Sequence, residues 1–258
     1  MSFALAVRRP EGWQVDRSGS GTSRLAVGET LETGSDGHAT VNVGEIGVIE
    51  VEPNSRLRLI GARKNEHRMA LDHGLIHATI WAPPRSFVVD MPSAAVDLGC
   101  SYTLEVAGDG TGLISVISGW VGFERSGRES FIPAGALCRT RPDAGPGTPY
   151  REDASPSFRR ALADFDFAHG GDAALATLLK EAKKDDAFTL WHLLTRCEPG
   201  QATHVYDVLA ALAPPAGVSR EGILRADPQM LERWWDELGL GDTSWWRLFE
   251  GKWPAASR

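Results

Sequence analysis

The sequence predicts a mainly β protein with an α second half: a many-stranded β domain over residues 1–141, a linker over 142–152, and an all-α bundle of short helices over 153–258. Three observations carry this division. Val96, Leu98, Cys100, Tyr102, Leu104 and Val106 are all even-numbered, with Asp97, Gly99, Ser101, Thr103 and Glu105 between them. A period of two is a strand with one buried face. Past residue 152 the apolar period lengthens to that of a helix, as in Phe158, Ala161, Leu162 and Phe165. Between the two regimes, residues 142–149 hold three prolines and two glycines, a composition that denies helix and strand alike.

In the first half, about twelve short strands run from Trp13-Gln14-Val15 to Leu137-Cys138-Arg139, separated by short turns. Most alternate, so one face is buried and one is wet. Regular short strands with glycine turns suggest a sandwich, barrel or solenoid. Gly108-Asp109-Gly110 reads as a turn between the 96–106 strand and a second strand over 113–117, and Gly119 breaks the chain before Trp120-Val121. Gly34, Gly37, Gly61, Gly74 and Gly119 read as turn positions that need positive φ.

In the second half, Ser155-Pro156 is an N-cap and first-turn pair. Asp172 is expected to cap a helix carrying Leu175, Leu178, Leu179 and Ala182. Residues 188–197 form an apolar helix with Leu190, Trp191, Leu193 and Leu194, and residues 201–212 another with Val205, Val208 and Leu209. Ser219 opens a short helix through Leu224. Asp227-Pro228 opens one that carries Met230, Leu231, Trp234, Trp235 and Leu238 and ends at Gly239. Asp242 caps a last one with Trp245, Trp246, Leu248 and Phe249. Helical pairs about 30 residues apart hint at stacked α-hairpins.

Composition excludes several functions. At 258 residues the chain can bury a sizeable core, and 42% apolar with 24% charged residues is ordinary for a globular protein. A net charge of −7 argues against a nucleic-acid binder, which needs a basic face. No run of about 18 apolar residues exists, so this chain itself is expected to make no membrane contact. Residues 3–7 are too short for a signal-peptide core and precede Arg8-Arg9-Pro10.

No residue combination signals catalysis, a cofactor or a metal, and none is expected. His73 and His77 sit in a strand pattern rather than on one helix face, and no Cys/His cluster has zinc spacing. Ser93, Ser101 and Ser118 lack a nucleophile elbow. Residues 108–112 are glycine-rich but precede a strand, so they cradle no phosphate. Trp191 reads as core, with His192 beside it a faint candidate for function. Cys100 reads as a small core residue; in an oxidising compartment it could bridge to Cys138. Five of nine tryptophans fall in the last 25 residues. Adjacent ones point about 100° apart, so either one of each pair faces the core and the other lies half-exposed to a partner, or they pack against each other and seal the end of a small bundle. This names Trp235, Trp246 and Trp253 as candidate partner-binding residues.

The stretch 94–121 resembles the core signature of the FecR family, bacterial extracytoplasmic domains that show a G-T-x-F-x-V strand followed by a run ending in E-G-x-V. Here the matching residues are Gly99-Cys100-Ser101-Tyr102-Thr103-Leu104 and Ser118-Gly119-Trp120-Val121. The resemblance extends over residues 24–141. Val27-Gly28 to Thr33-Gly34, Asp36-Gly37-His38-Ala39, Pro53-Asn54-Ser55, Leu71-Asp72-His73-Gly74, Phe87 to Pro92, and Ile132-Pro133-Ala134-Gly135 follow the family's order. It implies a β-solenoid-like or jelly-roll-like stack in a periplasmic or extracytoplasmic region, anchored through an upstream transmembrane helix in a longer protein. It also implies a non-catalytic sensor of a signal-transduction, anti-sigma-type protein with a protein partner. The helical half has no counterpart in that signature, so the transporter signalling domain bound by the best-studied members is not carried over. The competing expectation is a carbohydrate-binding or hydrolytic protein on a jelly-roll-like scaffold, which needs carboxylates or aromatics converging in a cleft.

Overall fold

One long strand organises the β half. β7 (Glu66–Ile80) runs fifteen residues and belongs to two sheets. Residues 66–73 pair with β6 (Arg56–Arg63) and β8 (Phe87–Met91), and residues 74–80 pair with β5 (Gly47–Val51) and β10 (Ser101–Val106). The change of sheet falls at Gly74, whose φ is +107°. A Cβ there would lie 2.2 Å from Ser55 Oγ and 2.4 Å from Ser55 Cα, so only glycine passes. The structure is a computed structural model and describes residues 12–17, 21–63, 66–81, 86–98, 101–125 and 127–241.

Around this strand the first sheet is ordered β2 (Gly21–Ala26), β1 (Gly12–Arg17), β4 (Ala39–Val43), β5, β7, β10, β11 (Gly112–Ser118), β14 (Ala136–Arg141). The second is ordered β3 (Thr30–Glu32), β6, β7, β8, β9 (Ala94–Leu98), β12 (Trp120–Arg125), β13 (Arg128–Pro133). The pairings are antiparallel apart from β7 with β8. The result is an open arrangement of two sheets sharing a strand, not a closed barrel.

Burial follows the predicted register. β10 buries Tyr102, Leu104 and Val106 and turns Thr103 and Glu105 outward. The β10–β11 hairpin closes where Asp109 Oδ1 accepts from Thr111 N and Oγ1 at 2.9 and 2.7 Å, an Asx turn. Cys100 lies outside the described residues, while Cys138 is a free buried thiol. Of the five glycines expected at positive φ, Gly74 and Gly119 have it and Gly34, Gly37 and Gly61 do not. Gly37 is needed for space instead, since a Cβ would meet Gly34 N at 3.0 Å, and Gly61 marks an irregularity in the β6–β7 register.

The stretch expected to be a linker is built into the sheet. Gly145–Pro146 (β15) and Tyr150–Arg151 (β16) both pair with β14, and residues 145–150 are buried. Its prolines are tolerated because this is a sheet margin, where a missing N–H breaks no ladder on a further strand. Gly147 N still donates to Arg139 O at 2.8 Å.

Among the described residues six α-helices follow: α1 (Pro156–Phe167), α2 (Gly171–Glu181), α3 (Ala187–Leu194), α4 (Pro199–Leu212), α5 (Arg220–Leu224) and α6 (Pro228–Glu237). Ser155, Ser219 and Asp227 cap α1, α5 and α6 with their side chains, as predicted. Asp172 is not a cap. Gly170 holds that position and Asp172 lies in the first turn, where the helix dipole favours a carboxylate. α4 starts at Pro199 rather than at residue 201, because proline at N1 forfeits no helical bond. The helix expected after Asp242 lies outside the described residues. Among the described residues no helix is long and apolar enough to cross a membrane.

Trp234 and Trp235 are both about 1% exposed, which is the bundle-sealing arrangement and not the one that leaves a ring to a partner. They do point apart, but α6 is covered on two sides. Trp234 stacks edge-on against Tyr206 of α4 and its indole donates to Ala213 O at 3.3 Å. Trp235 packs on Trp191 of α3 and Phe131 of β13, with ring centroids 4.8 and 5.8 Å away, and donates to Gly241 O.

Candidate functional site: the seam between sheets and helices

β13 ends the second sheet, and an end strand exposes unpaired backbone groups unless something covers them. Here α3 does. Phe131 N donates to His192 Nε2 at 3.0 Å, and Glu129 O accepts from an Arg196 terminal nitrogen at 2.6 Å. His192 lies in the last turn of α3 and Arg196 in the turn just past its end, four residues on, and residues 129 and 131 are two apart on a strand. Two side chains thus stand in for the edges of a neighbouring strand. His192 Nδ1 lies 2.7 Å from Phe188 O. With a carbonyl on that side and an amide N–H on the other, the imidazole is neutral and carries its proton on Nδ1.

Arg196 anchors a wider network. Its side chain is 8% exposed, and it donates to Thr148 Oγ1 at 2.7 Å and Ser130 Oγ at 2.8 Å besides Glu129 O. Thr148 Oγ1 passes its own proton to Asp166 Oδ1, and Ser130 Oγ passes its proton to Gly147 O. Asp166 of α1 is 2% exposed and accepts from Thr148 N at 2.6 Å and from Arg128 at 2.6 Å. Thr189 Oγ1 of α3 donates to Pro149 O. Burial lowers the Arg196 guanidinium to about 10, which leaves it charged at neutral pH, with Asp166 opposing the shift. The Cys138 thiol, 3.2 Å from Gly147 O, is pushed up to about 12, mainly by burial.

The network has no nucleophile-and-base pair in it. Apart from Arg128 Nε, its donors and acceptors are spent on each other, and what it can do is fix the helices against β13, β14 and the 145–151 stretch. Sequence reading did not find Arg196, Asp166 or Thr148. The one available signal was the four-residue spacing of His192 and Arg196 in the apolar 188–197 segment, whose helix ends at Leu194.

Of the predicted site residues, Trp235 lies inside this seam, not on a surface, because that side of α6 packs on both α3 and β13. Trp246 and Trp253 lie outside the described residues. His67, His73 and His77 share β7 but not a site: His73 pairs across from Arg56 in the second sheet, His77 across from Thr103 in the first. His77 and His38 do flank Glu52, at 3.6 and 3.3 Å. Among the described residues no three of His, Cys, Asp and Glu gather as a metal ion would need.

Three of the residues that carry the FecR resemblance converge. Thr33 Oγ1 donates to Glu52 O at 2.6 Å and accepts from Ser55 N at 2.9 Å. Ser55, 1% exposed, accepts from Leu75 N at 2.9 Å and fills the space that Gly74 leaves. Thr33, Ser55 and Gly74 come from three separate stretches of the signature and meet where β7 changes sheet.

No family model matches the chain, and no curated protein matches it. Among solved structures, it is similar to two crystal structures described as a "putative anti-sigma factor" from Parabacteroides distasonis. Both give a TM-score of 0.41 at 13% identity over 53% of this chain. The chain spans 65% and 64% of the length of those two. A likeness that loose carries no argument about function.

Proposed function

We propose that this chain is a non-catalytic protein-interaction region of a FecR-like, anti-sigma-type signal-transduction protein, working outside the cytoplasm. The observation behind the reading is the meeting of Thr33, Ser55 and Gly74 at the strand crossover. These residues come from three separate motifs, and each is required there for a physical reason. Thr33 and Ser55 lie in the loops at the ends of β3 and β6, and chance agreement with a signature gives no reason for both to reach the same crossover. The helical half, bolted on through Arg196 and Asp166, then offers a second surface that moves with the first. A regulator of this kind needs such rigidity to pass a binding event from one face to another.

The test is made in the native host. Overproducing the chain is expected to shift one coherent set of sigma-dependent transcripts, and a tagged copy is expected in the periplasmic fraction. An unchanged transcriptome, together with binding to a glycan array, would overturn the reading in favour of a carbohydrate-binding protein.

A further inference from the structure

We propose that the groove between α2 and α4 is the docking site for a basic amphipathic helix of a partner protein. The proposal deepens the signalling reading and rests on it only for the premise that the partner is a protein.

The groove encloses about 930 Å³. α2 lines it with residues 172, 175, 176 and 179, the i, i+3, i+4, i+7 stripe of one helix face. α4 supplies residues on the facing side, among them Val208. Asp172 Oδ1 accepts from Gln201 Nε2 at 2.7 Å, tying the starts of the two helices together. The helices therefore run side by side from that end, with an open furrow between them. Its floor is apolar: Ala176 is exposed, and Leu179 and Val208 are half-buried. Eleven and fourteen residues of helix rise about 16 and 21 Å, room for about three turns of a third helix. Helices recognise apolar grooves of this form through a stripe of their own.

Charge selects the occupant. The rim carries Asp172, Glu198 and Asp207, all exposed. Among the described residues that line the groove none is Lys or Arg. Asp207 is already paired with Arg220 at 2.8 Å, whereas Asp172 and Glu198, at the starts of α2 and α4, form no ion pair with a side-chain cation among the described residues. An acidic or neutral helix would leave that end repelled or unanswered. A helix with an apolar stripe flanked by lysines answers it and gains steering from the chain's net charge of −7.

The test uses the whole chain and three synthetic 18-residue peptides at pH 7.5, read by isothermal titration. One carries leucines at i, i+3, i+4, i+7 spacing with lysines between. The second replaces the lysines by glutamates, and the third scrambles the first. The lysine peptide is expected to bind at least about ten-fold tighter than either control, and less tightly as salt rises. Ala176→Arg, which fills the floor, is expected to abolish that preference. Ala173→Arg adds the same charge at an exposed α2 position off the groove and is expected to keep it. Both variants should melt with the wild type. Equal binding of all three peptides, or wild-type affinity in Ala176→Arg, overturns the proposal. A flat result in the host transcriptome would sink the signalling reading and leave this titration standing.

Discussion

Two buried polar clusters hold this molecule in shape, and they are built from opposite chemistry. The crossover at Gly74 uses neutral groups: Thr33 and Ser55 trade hydrogen bonds with each other and with the backbone of Glu52 and Leu75. The seam at Arg196 uses full charges, held by Thr148, Ser130 and a strand carbonyl. The neutral cluster serves one chain crossing and needs only short side chains. The seam joins two halves with different periodicities, so no shared ladder can do it, and longer charged side chains reach across. The lesson is that a neutral junction fails mainly through its backbone, whereas a charged one fails when a single partner is removed.

The largest expected effect sharpens that contrast by placing a carboxylate where nothing receives it. Leu104→Asp and Tyr102→Asp put an acid on the inward face of β10, at positions 0% exposed. The cost of several kcal/mol is comparable to total domain stability, so both variants should be unfolded by circular dichroism. Thr103→Asp, one residue away on the outward face, should fold and melt close to wild type. If Thr103→Asp were the most damaging of the three, the register drawn for β10 would be wrong.

Next is the seam itself. Asp166→Ala leaves the buried Arg196 guanidinium, 3.8 Å away, and Arg128, 2.6 Å away, without their shared carboxylate and should lose about 3–5 kcal/mol in urea titration. The double variant Asp166→Leu with Arg196→Met removes both charges and should recover a large part of that loss. A double variant no better than the single would mean that Arg196 is held by Thr148 and Ser130 rather than by charge. Gly74→Ala comes third. The φ of +107° alone costs about 1–3 kcal/mol for a residue with a Cβ, and the contact with Ser55 adds to it. Ser55→Gly in the same chain opens that space and should return the contact part only, because φ is unchanged.

The two clusters also differ in how far they could be read from the chain. The β10 register and the three side-chain helix caps are local, carried by a period of two or by a cap residue next to its helix, and the sequence displays such signals directly. Thr33, Ser55 and Gly74 were visible as pieces of a motif, though not as neighbours. The seam was hidden because its members are far apart and of types usually found in solvent: Asp166 and Arg196 read as surface charges on two helices. Residues 142–149 misled for a related reason. Proline and glycine report what the chain cannot do alone, and the margin of β14 that receives them is a fact of the fold. For the tryptophan pair only the partner-facing alternative failed, because the angular argument assumed one core, whereas α6 has α4 on one side and α3 with β13 on the other.

The smallest effect separates the seam's charge from its burial. The Cys138 thiol is raised from 9.0 to about 12 by desolvation, so it stays protonated in the fold where the unfolded chain would release its proton. A group raised in this way contributes stability that is complete below pH 9 and is lost as pH climbs from 9 toward 12. At pH 10 the loss is about 1.4 kcal/mol, one unit above the unfolded value. Arg196 acts in the opposite direction, since its lowered value near 10 makes the folded state the first to lose that proton and begins to offset the cysteine above pH 10. The informative window is therefore pH 8.5–10. Urea titrations there should show wild-type stability falling more steeply than that of Cys138→Ala, by about 1 kcal/mol across the window. In a chain keeping Cys138 alone, with Cys100 and Cys197 changed to serine, the thiol should resist a disulfide reagent at pH 8 until urea opens the seam. Parallel pH slopes for wild type and Cys138→Ala, or rapid reaction of the folded chain, would mean that water reaches the seam. In that event charge, rather than exclusion of solvent, would be what holds the helices to β13.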